Sequence, residues 1–114
     1  MENNLEFLYQ ILNQVLPNNV FYSISIKDKI ELPVIVYQEL KKRNKIYADA
    51  SYLLKESTIQ ITLITKDKSI NLEKSLESKL TANDIEFNMV NEFYLLDSGL
   101  YRIYEIKMEE LRYE

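Results

Sequence analysis

At 114 residues, with 46% hydrophobic residues, the chain has the size and apolar content of one domain spanning 1–114 that builds a core without staples. It contains no cysteine and no histidine, which excludes disulfides, thiolate metal ligands and histidine-based acid–base chemistry. A net charge of −4 argues against phosphate-driven nucleic-acid binding, and no apolar run approaches the roughly 20 residues a membrane span requires.

The N-terminal stretch MENNLEFLYQ carries acid and amide where a secretion leader carries positive charge, so no leader is expected. Over residues 3–16, Leu5, Leu8, Leu12 and Val15 recur at steps of three and four, with Phe7 and Ile11 widening the stripe. That spacing predicts an amphipathic helix, stopped by Pro17, with Asn18 and Asn19 suited to a turn. Residues 20–26 alternate as a strand, and Lys27-Asp28-Lys29 reads as a polar turn. Pro33 opens a second strand, Val34-Ile35-Val36-Tyr37, apolar on both faces as a central strand is.

Residues 41–55 break the pattern and predict a long loop or the arm of a hairpin. Within them Lys41, Lys42, Arg43 and Lys45 form a basic run that reads as a solvated loop or strand end, with a phosphate patch as the rarer alternative. Thr58 to Thr65 alternates cleanly, with Ile59, Ile61 and Leu63 inward and Thr58, Gln60 and Thr62 outward. A second helix is expected over 69–82, capped by Asp67 or Ser69. Its stripe is Leu72, Leu76 and Leu80, with Glu73, Lys74, Glu77 and Lys79 outside. Asn83 suits a left-handed residue just past its end. Ile85, Phe87 and Met89 start a strand that continues, bent, to Leu96. Asp97-Ser98-Gly99 forms a hairpin loop in which glycine takes the left-handed bulge position, a place asparagine also tolerates. Leu100 to Leu111 is the last strand.

The elements run α-β-β-β-α-β-β. They predict an α+β domain: a mainly antiparallel sheet of about five strands with two helices packed on one face.

Chemistry is scarce. A single glycine excludes a glycine-rich phosphate loop, and zinc sites need cysteine or histidine in nearly every case. Glu105, Glu109, Glu110 and Glu114 crowd the C-terminal end while Asp49 stands alone, and no metal-binding carboxylate motif appears. The expectation is a protein that is not an enzyme and takes no cofactor or metal. Nine tyrosines are more informative, because tyrosine fits strands and also anchors protein interfaces. Tyr47 and Tyr52 flank Asp49 outside any sheet pattern. With Leu53, Lys42 and Arg43 they are the candidate interface residues.

Several features together resemble a known family. They are the N-terminal helix, Leu32-Pro33-Val34-Ile35-Val36-Tyr37, the loop Tyr47-Ala48-Asp49, the strand from Ser57 to Leu63, a helix, Ile85-Glu86-Phe87, and Tyr101-Arg102-Ile103-Tyr104-Glu105-Ile106. Their order and spacing, from about residue 5 to 110, are similar to the tail terminator (tail completion) and related head–tail joining proteins of long-tailed bacteriophages and prophages. In that family the loop aspartate is usually followed by asparagine or glycine, whereas Ala50 follows here. The resemblance implies a structural protein that forms a ring, typically a hexamer. The ring caps the tail tube and docks to the head connector, so its partners are itself, tail-tube protein and head-completion protein. Neither nucleic-acid sequence nor membrane is a partner, and the protein passes from the host cytoplasm into the virion tail. The alternative is a small cytoplasmic adaptor or inhibitor that captures one host partner.

Overall fold

The structure, a computed structural model, describes residues 4–23, 30–48 and 52–113. Helix α1 covers Asn4–Val15 and buries Leu8, Ile11 and Leu12. Pro17 cannot extend it, and Asn18 takes a left-handed conformation (φ 65°) while its N–H donates to the Asn13 side chain at 3.0 Å. Strand β1 is short, Val20–Tyr22, and Ser23 at φ 47° ends it. Strands β2 (Val34–Ala48) and β3 (Tyr52–Thr65) form a long antiparallel hairpin. Helix α2 (Ile70–Ala82) follows, then β4 (Phe87–Leu95) and β5 (Gly99–Tyr113).

The five strands lie in the order β1-β2-β3-β5-β4. The sheet is mixed, which corrects the expectation of a mainly antiparallel one. Strand β1 pairs parallel with β2, Val20 opposite Ile35 and Tyr22 opposite Tyr37. The expected turn at 27–29 lies within residues 24–29, outside the described residues. Asn19 fixes the arrangement. Its carbonyl accepts from Ile35 N–H at 3.1 Å, and its side-chain amide donates to the carbonyls of Glu31, at 2.7 Å, and Pro33.

Both helices pack on one face of the sheet, where Ile35, Ile59, Ile61, Leu63, Tyr104 and Ile106 meet Leu8, Leu12, Leu76 and Leu80 in one core. Alternation places the odd residues of β3 there, as expected. Thr58 and Thr62 were expected outward and do face the other side, yet both are buried. Strand β3 is central, so β2 and β5 shade even its uncovered face.

Ser69 caps α2, its Oγ accepting from Leu72 N–H at 3.4 Å. Glu73, expected outside, is buried. At the other end the left-handed residue is Asp84 (φ 58°) rather than Asn83 (φ −104°), whose side chain instead donates to the Lys79 carbonyl at 2.9 Å. A bulge at Met89/Asn91 supplies the expected bend in β4. The β4–β5 loop is Leu96-Asp97-Ser98, one residue earlier than expected. Asp97 takes the left-handed position (φ 69°), and Gly99 (φ 119°) is the first residue of β5, opposite Leu95.

Candidate functional site

Residues 41–48 and 52–55 are strands forming the arm of a hairpin rather than a loop. Strand pairing continues through Tyr47↔Leu53 and Ala48↔Tyr52, and β5 runs alongside as far as Tyr52↔Tyr113. Three of the candidate interface residues, Tyr47, Tyr52 and Leu53, are thus brought together near the distal end of the arm; Asp49 lies outside the described residues. At the row Lys42–Ser57–Met108 the core still reaches the arm, since Met108 and Ser57 are buried. From Arg43 to Ala48 the arm extends about 17 Å further at a strand rise of ~3.3 Å per residue.

Two members of the basic run are engaged within the sheet. Strand alternation sends Lys42 and Arg43 to opposite faces, and each meets a carboxylate: Lys42 Nζ lies 3.9 Å from Glu110, and Arg43 holds buried Glu56 at 3.1 Å through two nitrogens. These pairs stitch β2 to β5 and β3, so phosphate binding gains no support there.

A second surface escapes sequence reading. Strand β4 is an edge, with Met89, Val90, Tyr94 and Leu95 exposed along it and Leu96 at 81% exposure on its loop. On the helix-free face Phe93 stacks on Tyr101 at 5.2 Å with rings 6° from parallel. The clue available in sequence was the lack of charge in 87–96, where Glu92 is the single ionisable carboxylate. Edge strands commonly carry charge to discourage pairing.

A polar cluster joins α2 to β4 and β5. Arg102 donates to Glu92 at 3.0 Å, to Glu77 at 3.2 Å and to the Tyr104 hydroxyl at 2.6 Å. The Tyr104 hydroxyl donates to Glu77 at 2.7 Å, and Lys68 bridges Glu73 at 2.9 Å and Glu92 at 2.8 Å. Burial and the bond to Glu77 push the Tyr104 phenol well above its ordinary value. Burial alone would lower the Arg102 guanidinium, but its bonds to Tyr104, Glu92 and Glu77 outweigh that and hold it raised. The bond from Lys68 keeps Glu92 below the usual carboxylate range. Every member is already occupied by another, so the cluster works as a strut rather than as a reactive site. Among the described residues no three acidic, histidine or cysteine side chains assemble to hold a metal.

The surface also carries recesses. A groove of about 620 Å³ lies between the start of α1 and the start of β4, lined by Asn4, Phe7, Asp84, Glu105 and Glu109 among others. A smaller one, about 480 Å³, is lined by Leu5, Glu6, Tyr9, Gln10, Tyr22 and Tyr37. There Tyr37 stands edge-on to Tyr22 at 5.1 Å and 79°, and Tyr9 is tilted over it at 6.5 Å. The Tyr22 hydroxyl accepts from Glu39 N–H at 3.3 Å. Burial, and then the nearby Tyr9 and Tyr22 hydroxyls, raise the Tyr37 phenol.

No protein-family model matches the chain, and a search of curated proteins finds no match. No helix among the described residues is long and apolar enough to cross a membrane.

Proposed function

We propose that the chain is a structural assembly protein that joins copies of itself through the β2–β3–β5 arm. In the reading that the sequence resemblance supports, the product is a ring that caps a phage tail tube and joins it to the head connector, formed in the host cytoplasm and retained in the virion tail. The arm carries the proposal. A long ribbon of strands standing out from a domain gains little from its ladder alone, because ladder hydrogen bonds exchange for bonds to solvent at little net gain. A chain that keeps such a ribbon over about 17 Å gains from burying it against another surface. The elongated shape, 53 × 30 × 25 Å, and the apolar edge β4 suit lateral association.

Arg43 and Glu56 sit opposite each other, so residues 44–55 can be replaced by Asn-Gly, the two-residue turn that best closes such a hairpin. Light scattering of the full-length protein, alone and with tail-tube protein, is expected to show oligomers. The shortened variant is expected to stay monomeric with an unchanged thermal transition. A wild type that stays monomeric in both settings refutes the proposal; so does a shortened variant that still assembles.

A further inference from the structure

Arm against arm closes a pair and stops, whereas a ring needs each copy to give one surface and receive a different one. On the reading of the arm as the part that joins copies, it is the surface given, and its seat lies elsewhere on the neighbour. The outer strands of the arm are open edges. Among the described residues, β2 beyond Tyr37 and β5 beyond Ile106 have a strand neighbour on one side only. Another open edge meets such a strand best, because backbone N–H and C=O groups then pair along its length while side chains set the register. Strand β4 offers one: it is last in the sheet order and pairs with β5 alone.

We propose that the β4 edge is the seat for the arm of a second copy. The lengths agree, since Val90 to Leu95 spans about 17 Å at strand rise, the reach of the arm beyond the row of Lys42. Met89, Val90, Tyr94 and Leu95 are 45–61% exposed and Leu96 is 81% exposed. That leaves about 500 Å² of apolar surface, and covering it with an equal area of arm gives about 1,000 Å², where specific interfaces begin. Charge does not oppose the contact. Glu92 is the one charged side chain of β4, and Lys68 at 2.8 Å and Arg102 at 3.0 Å hold it. At the root of the arm, Lys42 and Arg43 are likewise matched by Glu110 and Glu56. Position makes the contact one between copies. Leu95 lies opposite Gly99, and the arm begins past Met108, about 30 Å further along β5, so an arm points away from the β4 of its own chain.

The test puts arm and seat on separate chains. The shortened variant described above keeps β4 and lacks the arm. The full chain carrying Val90→Lys and Tyr94→Lys keeps the arm and places unmatched charge on the edge. Light scattering follows each alone and an equal mixture, under the conditions in which the wild type assembles, and circular dichroism checks the fold. Each alone is expected to stay monomeric, and the mixture to give a dimer with one chain of each kind that grows no further. The two lysines are expected to weaken assembly of the full chain about tenfold or more. Ile70→Lys, at a 57% exposed position of α2, is expected to leave it unchanged. Where the lysine pair loses the fold, Leu96→Lys on the loop carries the same comparison. A lysine variant that assembles like the wild type overturns the seat and leaves the reading of the arm standing. So does a mixture that stays monomeric, or an Ile70→Lys chain that loses assembly equally. A wild type that never assembles refutes the reading of the arm, and the seat falls with it.

Discussion

Replacing Gly99 by alanine, asparagine and valine probes the β4–β5 turn and its seat on β3 together. A Cβ built at Gly99 lies 2.5 Å from the backbone oxygen of Thr65 and 3.1 Å from Leu32 Cδ1. The leucine methyl can swing aside, but the Thr65 carbonyl cannot, because Thr65 is the last residue of β3 and pairs with Leu100. The backbone angle adds to this. At φ 119° the residue is well outside the left-handed helical region near +57°, where asparagine is tolerated. Strained backbone of this kind costs about 1–3 kcal/mol, and a ladder hydrogen bond lost as the strands part costs about 0.5–1.5 kcal/mol more. Together they give roughly 2–4 kcal/mol, or a melting temperature lower by about 8–16 °C for a domain of this size. Because the collision is at Cβ, all three substitutions are expected to fall in this range, with valine worst. This departs from the sequence expectation that asparagine fits. Thermal unfolding followed by circular dichroism measures it, and hydrogen exchange at the Leu100 amide locates the damage. Asparagine or alanine melting within about 2 °C of the wild type would show that the turn is not seated on Thr65.

Other consequences are as direct. Arg102→Met leaves Glu77 and Glu73 without their shared partner and is expected to cost on the order of 2–3 kcal/mol in urea unfolding, below the 3–5 of a fully buried pair because the cluster is partly solvated. An unchanged midpoint would show that the strut adds nothing to stability. Leu76→Ala, at a fully buried position of α2, is expected to cost about 2–5 kcal/mol, while Ile70→Ala on the exposed first turn stays within about 0.5 kcal/mol; similar losses would mean that α2 is rotated about its axis. Without histidine, stability is expected to be nearly flat from about pH 6 to 8. Glu92 is lowered in the folded state, so its contribution is present above the unfolded value of 4.5 and fades as pH falls below that through the folded value. Glu92→Gln should therefore flatten the acid limb of a stability–pH curve, and a variant with the wild-type acid limb would refute the assignment.

Periodicity alone determined much of this fold. The 3.6-residue stripe of Leu8, Ile11 and Leu12, the Pro17 stop, the cap at Asp67 or Ser69, which Ser69 fills, and the two-residue alternation of Ile59, Ile61 and Leu63 are local relations, and each reappears in place. Such patterns report which face of an element is buried. They do not report which neighbour covers it or in which direction that neighbour runs. Strand β1 has the same alternation whether it is parallel or antiparallel to β2, and its direction follows from the bonds of Asn19 across residues 31–35. The charges show the same division. Glu73 and Glu77 lie where an exposed helix face is expected, and only the placement of Arg102 and Lys68, distant in sequence, makes them members of a strut. Tyr9, Tyr22 and Tyr37 are unremarkable on their own elements, and their convergence exists only once α1, β1 and β2 have packed. Local order is a property of neighbouring residues, whereas a site is made by side chains whose proximity the chain entropy of long loops opposes and only the finished core enforces.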